Sequence, residues 1–182
     1  MEKDCITTFT GISFNTTHFN PNQIDIRDIA HALSMMTRAN GHFPEFFSVG
    51  QHCIQCAREA IARHYVPELS LACLLHDASE AYLSDVTRPV KKNMTMYLQI
   101  EEELQNMIYK KYLGYVPKDE EAVLVRNIDD SCLYYEFMHF MNDPLIPYKP
   151  VMISTPSYEF QPMKEVEQEF LEIFEQLKRE MR

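Results

Sequence analysis

Apolar residues recur along most of this chain at three- and four-residue steps, the period of a helix with one buried face. Asp25 is placed to cap a helix over 26–37, with Ile26, Ile29, Ala30, Leu33 and Met36 on one side. Ser48-Val49-Gly50-Gln51 is a capping box, and it opens a helix to about His64 that turns Cys53, Ile54, Ala57, Ala60 and Ile61 inward. Pro67 suits the first turn of a third helix, which the apolar run Leu69 to Leu75 carries on to about Leu83. A loop over 85–89 leads to a helix over 94–113 that stops at Gly114. Another runs from Pro117 to about Met141 with Val123, Leu124, Ile128, Cys132, Leu133 and Phe137 inward, interrupted by Asp129 and Asp130. Prolines at 144, 147, 150 and 156 make 142–158 irregular. A last amphipathic helix, about 161–181, buries Met163, Val166, Phe170, Ile173, Phe174 and Leu177. Only the segment Ile6 to Phe14, with a break at Gly11, departs from the helical period and reads as a short N-terminal strand or β-hairpin.

The pattern predicts an all-α bundle of five or six helices. Its 182 residues suffice for one domain with its own core, the core elements spanning about 25–141. The helix at 161–181 cannot hold a core alone, so it is expected to dock back, giving a single domain over 1–182.

Composition narrows the function. A net charge of −10 and no basic patch argue against a nucleic-acid polymer as partner. A small anionic substrate is still compatible, because a bound cation and a few basic side chains outweigh the global field locally. The cysteines number five, Met1-Glu2-Lys3-Asp4 leads into no long apolar stretch, and no run approaches membrane-spanning length. A cytoplasmic protein with no membrane partner is expected. Cys53-x-x-Cys56 has zinc-knuckle spacing but no second pair, and reads as core packing.

The chemistry concentrates at Leu74-Leu75-His76-Asp77-Ala78-Ser79-Glu80-Ala81-Tyr82-Leu83-Ser84-Asp85. Burying His76, Asp77 and Glu80 on one helix is costly unless something offsets their desolvation. A divalent metal would, since imidazole and carboxylate together suit Mn, Fe, Co, Ni or Zn. His52 and an aspartate at 129 or 130 lie where neighbouring helices should face the same point. Two imidazoles and two carboxylates hold one divalent transition metal ion with positions left open for catalysis.

This succession, His52, then His76-Asp77, then an aspartate on a later helix, resembles the HD-domain metal-dependent phosphohydrolases. Ser48-Val49-Gly50-Gln51-His52, the string from Leu74 to Asp85, and Pro89-Val90-Lys91 are similar to the small bacterial and phage members related to 5′-deoxynucleotidases. The likeness covers roughly residues 8–140. It implies His52, His76, Asp77 and Asp129 as metal ligands, Asp129 being chosen over Asp130 because Val125-Arg126-Asn127-Ile128-Asp129 fits the family string. It implies Glu80 and Asp85 as the acid–base pair, Arg38 and Lys91 as phosphate contacts with Arg88 a weaker one, and His42 as a further pocket residue. The implied activity is a 5′-(deoxy)nucleotidase releasing inorganic phosphate from a small nucleotide. A small dNTP triphosphohydrolase or a non-catalytic metal- and nucleotide-binding module are the alternatives, and a homodimer is common among such proteins. One departure matters: the deoxynucleotidases carry a Trp directly after the phosphate-binding Arg, where this chain has Ala39.

Overall fold

The protein is described here by a computed structural model covering residues 4–181. Met1 to Lys3, part of the stretch on which the expectation of no signal peptide rests, lie outside the described residues, as does Arg182. A short antiparallel hairpin comes first, β1 (Cys5–Thr7) and β2 (Ser13–Asn15), with Ile6 opposite Phe14. All remaining regular structure is helical: α1 (Ile26–Met35), α2 (Val49–Ala62), α3 (Pro67–Leu74), α4 (Glu80–Leu83), α5 (Arg88–Lys91), α6 (Thr95–Leu113), α7 (Glu120–Met141) and α8 (Met163–Glu180), with short 3₁₀ turns between some of them. Six of these are full helices and two, α4 and α5, are single turns, so the all-α architecture with an N-terminal hairpin is what the chain adopts. Among the described residues no helix is long and apolar enough to cross a membrane.

α2 runs through the middle of the bundle. Ser48 Oγ accepts from the Gln51 N–H at 3.0 Å and Gln51 Oε1 accepts from the Ser48 N–H at 3.1 Å, closing the capping box. His52, Cys53, Ala57 and Ala60 on this helix have no exposed surface. α8 docks across α1, α2 and α3 through Val166, Phe170, Phe174 and Leu177, all buried. Gly50 lets these helices meet: a Cβ there would sit 3.0 Å from Val166 Cγ1 and 3.1 Å from the Ser34 backbone nitrogen. The hairpin is fastened to α1, where Asp28 accepts from the Thr10 N–H at 2.7 Å and its hydroxyl at 2.9 Å.

The structure corrects the expected third helix. α3 ends at Leu74, and residues 75–79 form a tight turn before α4, so His76, Asp77 and Glu80 do not share one continuous helix. Arg88 and Pro89, expected as the end of a loop, open the single turn α5. α7 starts at Glu120 rather than at Pro117. Val123 lies 52% exposed because it sits about 200° around α7 from Val125, which faces the core.

The irregular segment after α7 is tied down by one stripe of α2. Gln51 Nε2 donates to the Glu159 carbonyl at 3.3 Å and Gln55 Nε2 to the Ser157 carbonyl at 2.5 Å. Glu59 accepts from the N–H groups of Ile153 at 3.0 Å and Ser154 at 2.8 Å and from the Ser154 hydroxyl at 2.6 Å. Arg63 completes the stripe, donating to Glu59 at 2.7 Å and to the Val151 carbonyl at 2.7 Å. Burial opposes the Glu59 charge, but the bonds from Ser154, Arg63 and Ile153 prevail and hold its pKa below the usual glutamate range. Its contribution to stability is therefore complete above that range and is lost as pH falls through the depressed native value. Glu59→Gln should lower the unfolding free energy by about 2–3 kcal/mol at pH 7, the loss expected for hydrogen bonds to a charged group. Urea denaturation should show the gap between the variant and the wild type closing toward pH 3.

Candidate metal centre

Two buried imidazoles are aimed by the bonds on their far sides. His52 Nδ1 lies 2.6 Å from Glu136 Oε1, and His76 Nδ1 lies 2.8 Å from the Cys73 carbonyl. A carbonyl or carboxylate oxygen only accepts here, so both Nδ1 atoms carry a proton, and in the neutral rings both Nε2 atoms present a lone pair. Those two Nε2 atoms face each other at 3.2 Å. Lone pairs so close repel, so the arrangement calls for a cation or a proton beside them.

Two carboxylates complete the cluster. Asp77 Oδ2 stands 3.3 Å from His76 Nε2 and 3.9 Å from His52 Nε2. Asp129 Oδ1 stands 3.1 Å from His52 Nε2 and 3.7 Å from His76 Nε2. Ligands about 2.1 Å from one ion stand about 3.0–3.4 Å from each other at octahedral or tetrahedral angles. The spacing of His52, His76, Asp77 and Asp129 thus fits a single divalent ion after slight contraction. Asp130 points elsewhere: its Oδ1 pairs with Arg88 Nη1 at 2.7 Å, while Arg88 Nη2 also bonds the outer oxygen of Asp129.

The charges of these groups are bound together. Burial and the Arg38 guanidinium both disfavour a charged His52, but the carboxylates of Glu136 and Asp129 outweigh them and raise its pKa to about 9. Burial likewise opposes charge on His76, and Asp77 and Asp129 raise it well above the usual value. In return His76 holds Asp77, and both imidazoles hold Asp129, below the ordinary carboxylate range against the cost of burial. Metal ligation needs neutral imidazoles, so an ion entering here displaces protons.

Sequence reasoning missed Glu136. It is wholly buried and receives His52 Nδ1 on one oxygen and Arg38 Nη2, at 3.2 Å, on the other. A signal was available, because Glu136 follows Asp129 by seven residues, two turns along the same face of α7. Two cysteines lie on the ligand side of the imidazoles. Cys56 Sγ is 3.6 Å from His52 Nε2, and the ligand atoms of Cys53, His76 and Asp77 lie within 4.8 Å of one another. Burial raises the Cys53 thiol to about 11 and Cys56 well above its usual value.

The other candidate residues surround a cavity of about 430 Å³ that opens onto Asp77 and Asp129 and includes Arg38, His42, Glu80, Asp85, Arg88 and Lys91 in its lining. Its apolar lining comes from Val86, Leu133, Phe137 and Leu145, two of them following Asp129 along the same face of α7. Lys91 Nζ sits 3.4 Å from Glu80 Oε1 and 2.6 Å from Glu101. Glu80 Oε2 is buried and has no hydrogen-bond partner among the described residues. Burial, with Asp77 and Asp85 nearby, pushes Glu80 well above the glutamate range, and burial also raises Asp85. Arg38 lies with one edge on Glu136 and Nη1 3.7 Å from Asp77. Ala39, in a left-handed turn at φ 50°, lines the cavity where a bulky side chain would narrow it.

Titration with Mn²⁺ or Co²⁺ should show one tight site. His52→Ala and Asp129→Ala should each weaken it by more than about 100-fold, whereas Asp130→Asn should leave it nearly intact. Glu136→Gln should fall between, at the 10–100-fold typical of residues that orient a ligand. Calorimetry in buffers of different ionisation heat should detect proton release on binding, and affinity should drop as pH falls.

No family model matches the chain. It is 38% identical over 108 residues to an uncharacterized Escherichia coli K12 protein, YfdR, an alignment covering 59% of this chain and 57% of that one. It is 33% identical over 99 residues to an uncharacterized Rhodobacter capsulatus protein, covering 50% of each. The chain thus spans about half the length of the curated relatives it matches.

Proposed function

We propose that the chain is an HD-domain metal-dependent phosphohydrolase that cleaves a nucleoside 5′-phosphate to nucleoside and inorganic phosphate. The observation that carries the reading is Glu80: a buried carboxylate with one oxygen unpartnered, beside the His52, His76, Asp77 and Asp129 cluster and facing the cavity. Those four residues would hold the ion, whose chemistry is to polarise a phosphoryl oxygen and acidify water. Glu80, ionised once a cation offsets the burial and neighbouring carboxylates that raise its pKa, takes the proton of the attacking water, and Asp85, its pKa raised by burial, delivers one to the leaving nucleoside oxygen. Lys91 and Arg38 offset the phosphate charge, Arg38 while also sharing its guanidinium with Glu136. The apolar wall of Val86, Leu133, Phe137 and Leu145 receives the nucleoside. At about 430 Å³ the cavity falls within the usual range for small-molecule sites, about 300–1,000 Å³. Such an enzyme suits a reducing cytoplasm, where an odd set of cysteines stays as thiols.

Product analysis tests the reading. Purified protein with Mn²⁺ or Co²⁺ should release inorganic phosphate from nucleoside monophosphates, and Glu80→Gln should lower kcat by about 10²–10⁴-fold with the metal retained. The ratio of deoxy to ribo turnover reports what Ala39 does to sugar selection. Release of intact triphosphate from dNTPs would move the assignment to a triphosphohydrolase. No turnover in any pool, with metal shown bound, would overturn hydrolysis in favour of a binding module.

A further inference from the structure

The break after α3 has no local cause in the chain: residues 74–80 contain neither Gly nor Pro. A continuous helix would bond the Ser79 N–H to the Leu75 carbonyl, four residues back. Instead the Ser79 N–H donates to Gln105 Oε1 at 3.0 Å, and Gln105 Nε2 donates to the Leu75 carbonyl at 2.7 Å. The Gln105 amide, from the middle of α6, is wedged into the very hydrogen bond that would have continued the helix. It satisfies both halves because an amide offers a donor and an acceptor in one planar head. Around it the chain tightens to three-residue bonds, from the Ala78 N–H to Leu75 and from the Glu80 N–H to Asp77, both at 3.0 Å. A three-residue turn advances about 20° more per residue than an α-helix. Over the four steps from 75 to 79 that is up to about 80° of added rotation, enough to change which way Asp77 and Glu80 point.

Packing is incomplete around the pair: His76 and Asp77 also line a second cavity of about 320 Å³, with Ser79, Lys91, Glu101 and Gln105 among its lining. Hydrogen bonds from α6 brace the segment on this side, and they form a stripe at four-residue steps. Tyr97 donates to the Ser84 carbonyl at 2.8 Å, Glu101 holds Lys91, Gln105 spans 75 and 79, and Tyr109 donates to the Ala72 carbonyl at 3.3 Å.

We infer that Gln105 is a positioning residue of the candidate metal centre: by interrupting the helix at the Leu75–Ser79 bond it sets the orientation in which His76 and Asp77 meet His52 and Asp129. The inference rests on the metal reading of the site and not on hydrolysis. Without the amide, Ser79 and Leu75 are free to pair with each other, straightening the helix and turning Asp77 away from the other ligands while the fold persists.

Co²⁺ titration followed by visible absorption tests this. Gln105→Met, similar in size but unable to make either bond, should lose about 10–100-fold in Co²⁺ affinity and alter the spectrum of the bound ion. Lys111→Met is the matched control: Lys111, also on α6, donates to the backbone carbonyls of Pro21 at 2.7 Å and Ile24 at 2.5 Å, away from the site. It should keep wild-type affinity and spectrum while losing at least as much thermal stability as Gln105→Met. Wild-type affinity and spectrum in Gln105→Met overturn the inference. Should that variant fail to fold, Gln105→Glu keeps the bond from Ser79 and loses the one to Leu75. Its added charge favours a cation, so a weakened affinity in it supports positioning, and an unchanged affinity and spectrum overturn it. A wild-type protein that binds no Co²⁺ removes the metal reading itself, a failure visible before any variant is compared.

Discussion

An excess of negative charge in a nearly dry place governs this structure. Around the candidate centre Asp77, Glu80, Asp85, Asp129 and Glu136 set five carboxylates against the three cations Arg38, Arg88 and Lys91. Such a cluster is tolerable only where each group has a compensating neighbour. Arg88 takes the outer oxygen of Asp129, Lys91 serves Glu80 and Glu101, and Arg38 lies between Glu136 and Asp77. The remainder bears on the two imidazoles, whose pKa values the neighbouring carboxylates raise against the cost of burial. A divalent ion among them would offset the same carboxylates, so binding of metal and binding of protons at this centre compete.

Backbone that leaves the helical pattern must still find partners for its polar groups. The protein meets this demand twice with the same device, a polar stripe on one face of a long helix. On α2, Gln51, Gln55, Glu59 and Arg63 take up the carbonyls and amides of residues 151–159. On α6, Tyr97, Gln105 and Tyr109 do so for backbone groups between Ala72 and Ser84, while Glu101 in the same stripe pairs with the Lys91 side chain. In both cases a regular element imposes its rigid spacing on an irregular one, and irregular segments become places where side chains are held in place.

Much of this was legible in the sequence because its cause is local. The capping box at Ser48, the stop at Gly114, the prolines after 142 and the apolar stripe of the final helix all act within a few residues of themselves. His52, His76, Asp77 and Asp129 stood out as polar residues at positions where the helical period demands apolar ones. What escaped notice depends on partners distant in the chain. Nothing near Leu75 announces a helix end, because Gln105 causes it from 30 residues away. Gln105 itself reads as an ordinary polar position on a surface helix. Glu136 is intermediate: its seven-residue step from Asp129 was visible, but its partner His52 lies 84 residues off.

α2 links these observations. It contributes His52 to the cluster, and further along nearly the same face Gln55 and Glu59 anchor the strap that follows α7. Leu145, near the start of that strap, forms part of the apolar lining of the cavity that Asp77 and Asp129 also line. The strap and the ligand are not independent, because Glu59 follows His52 by seven residues, two turns along the same face of α2. A shift or rotation of this helix therefore reaches both the ligand set and the shape of the pocket.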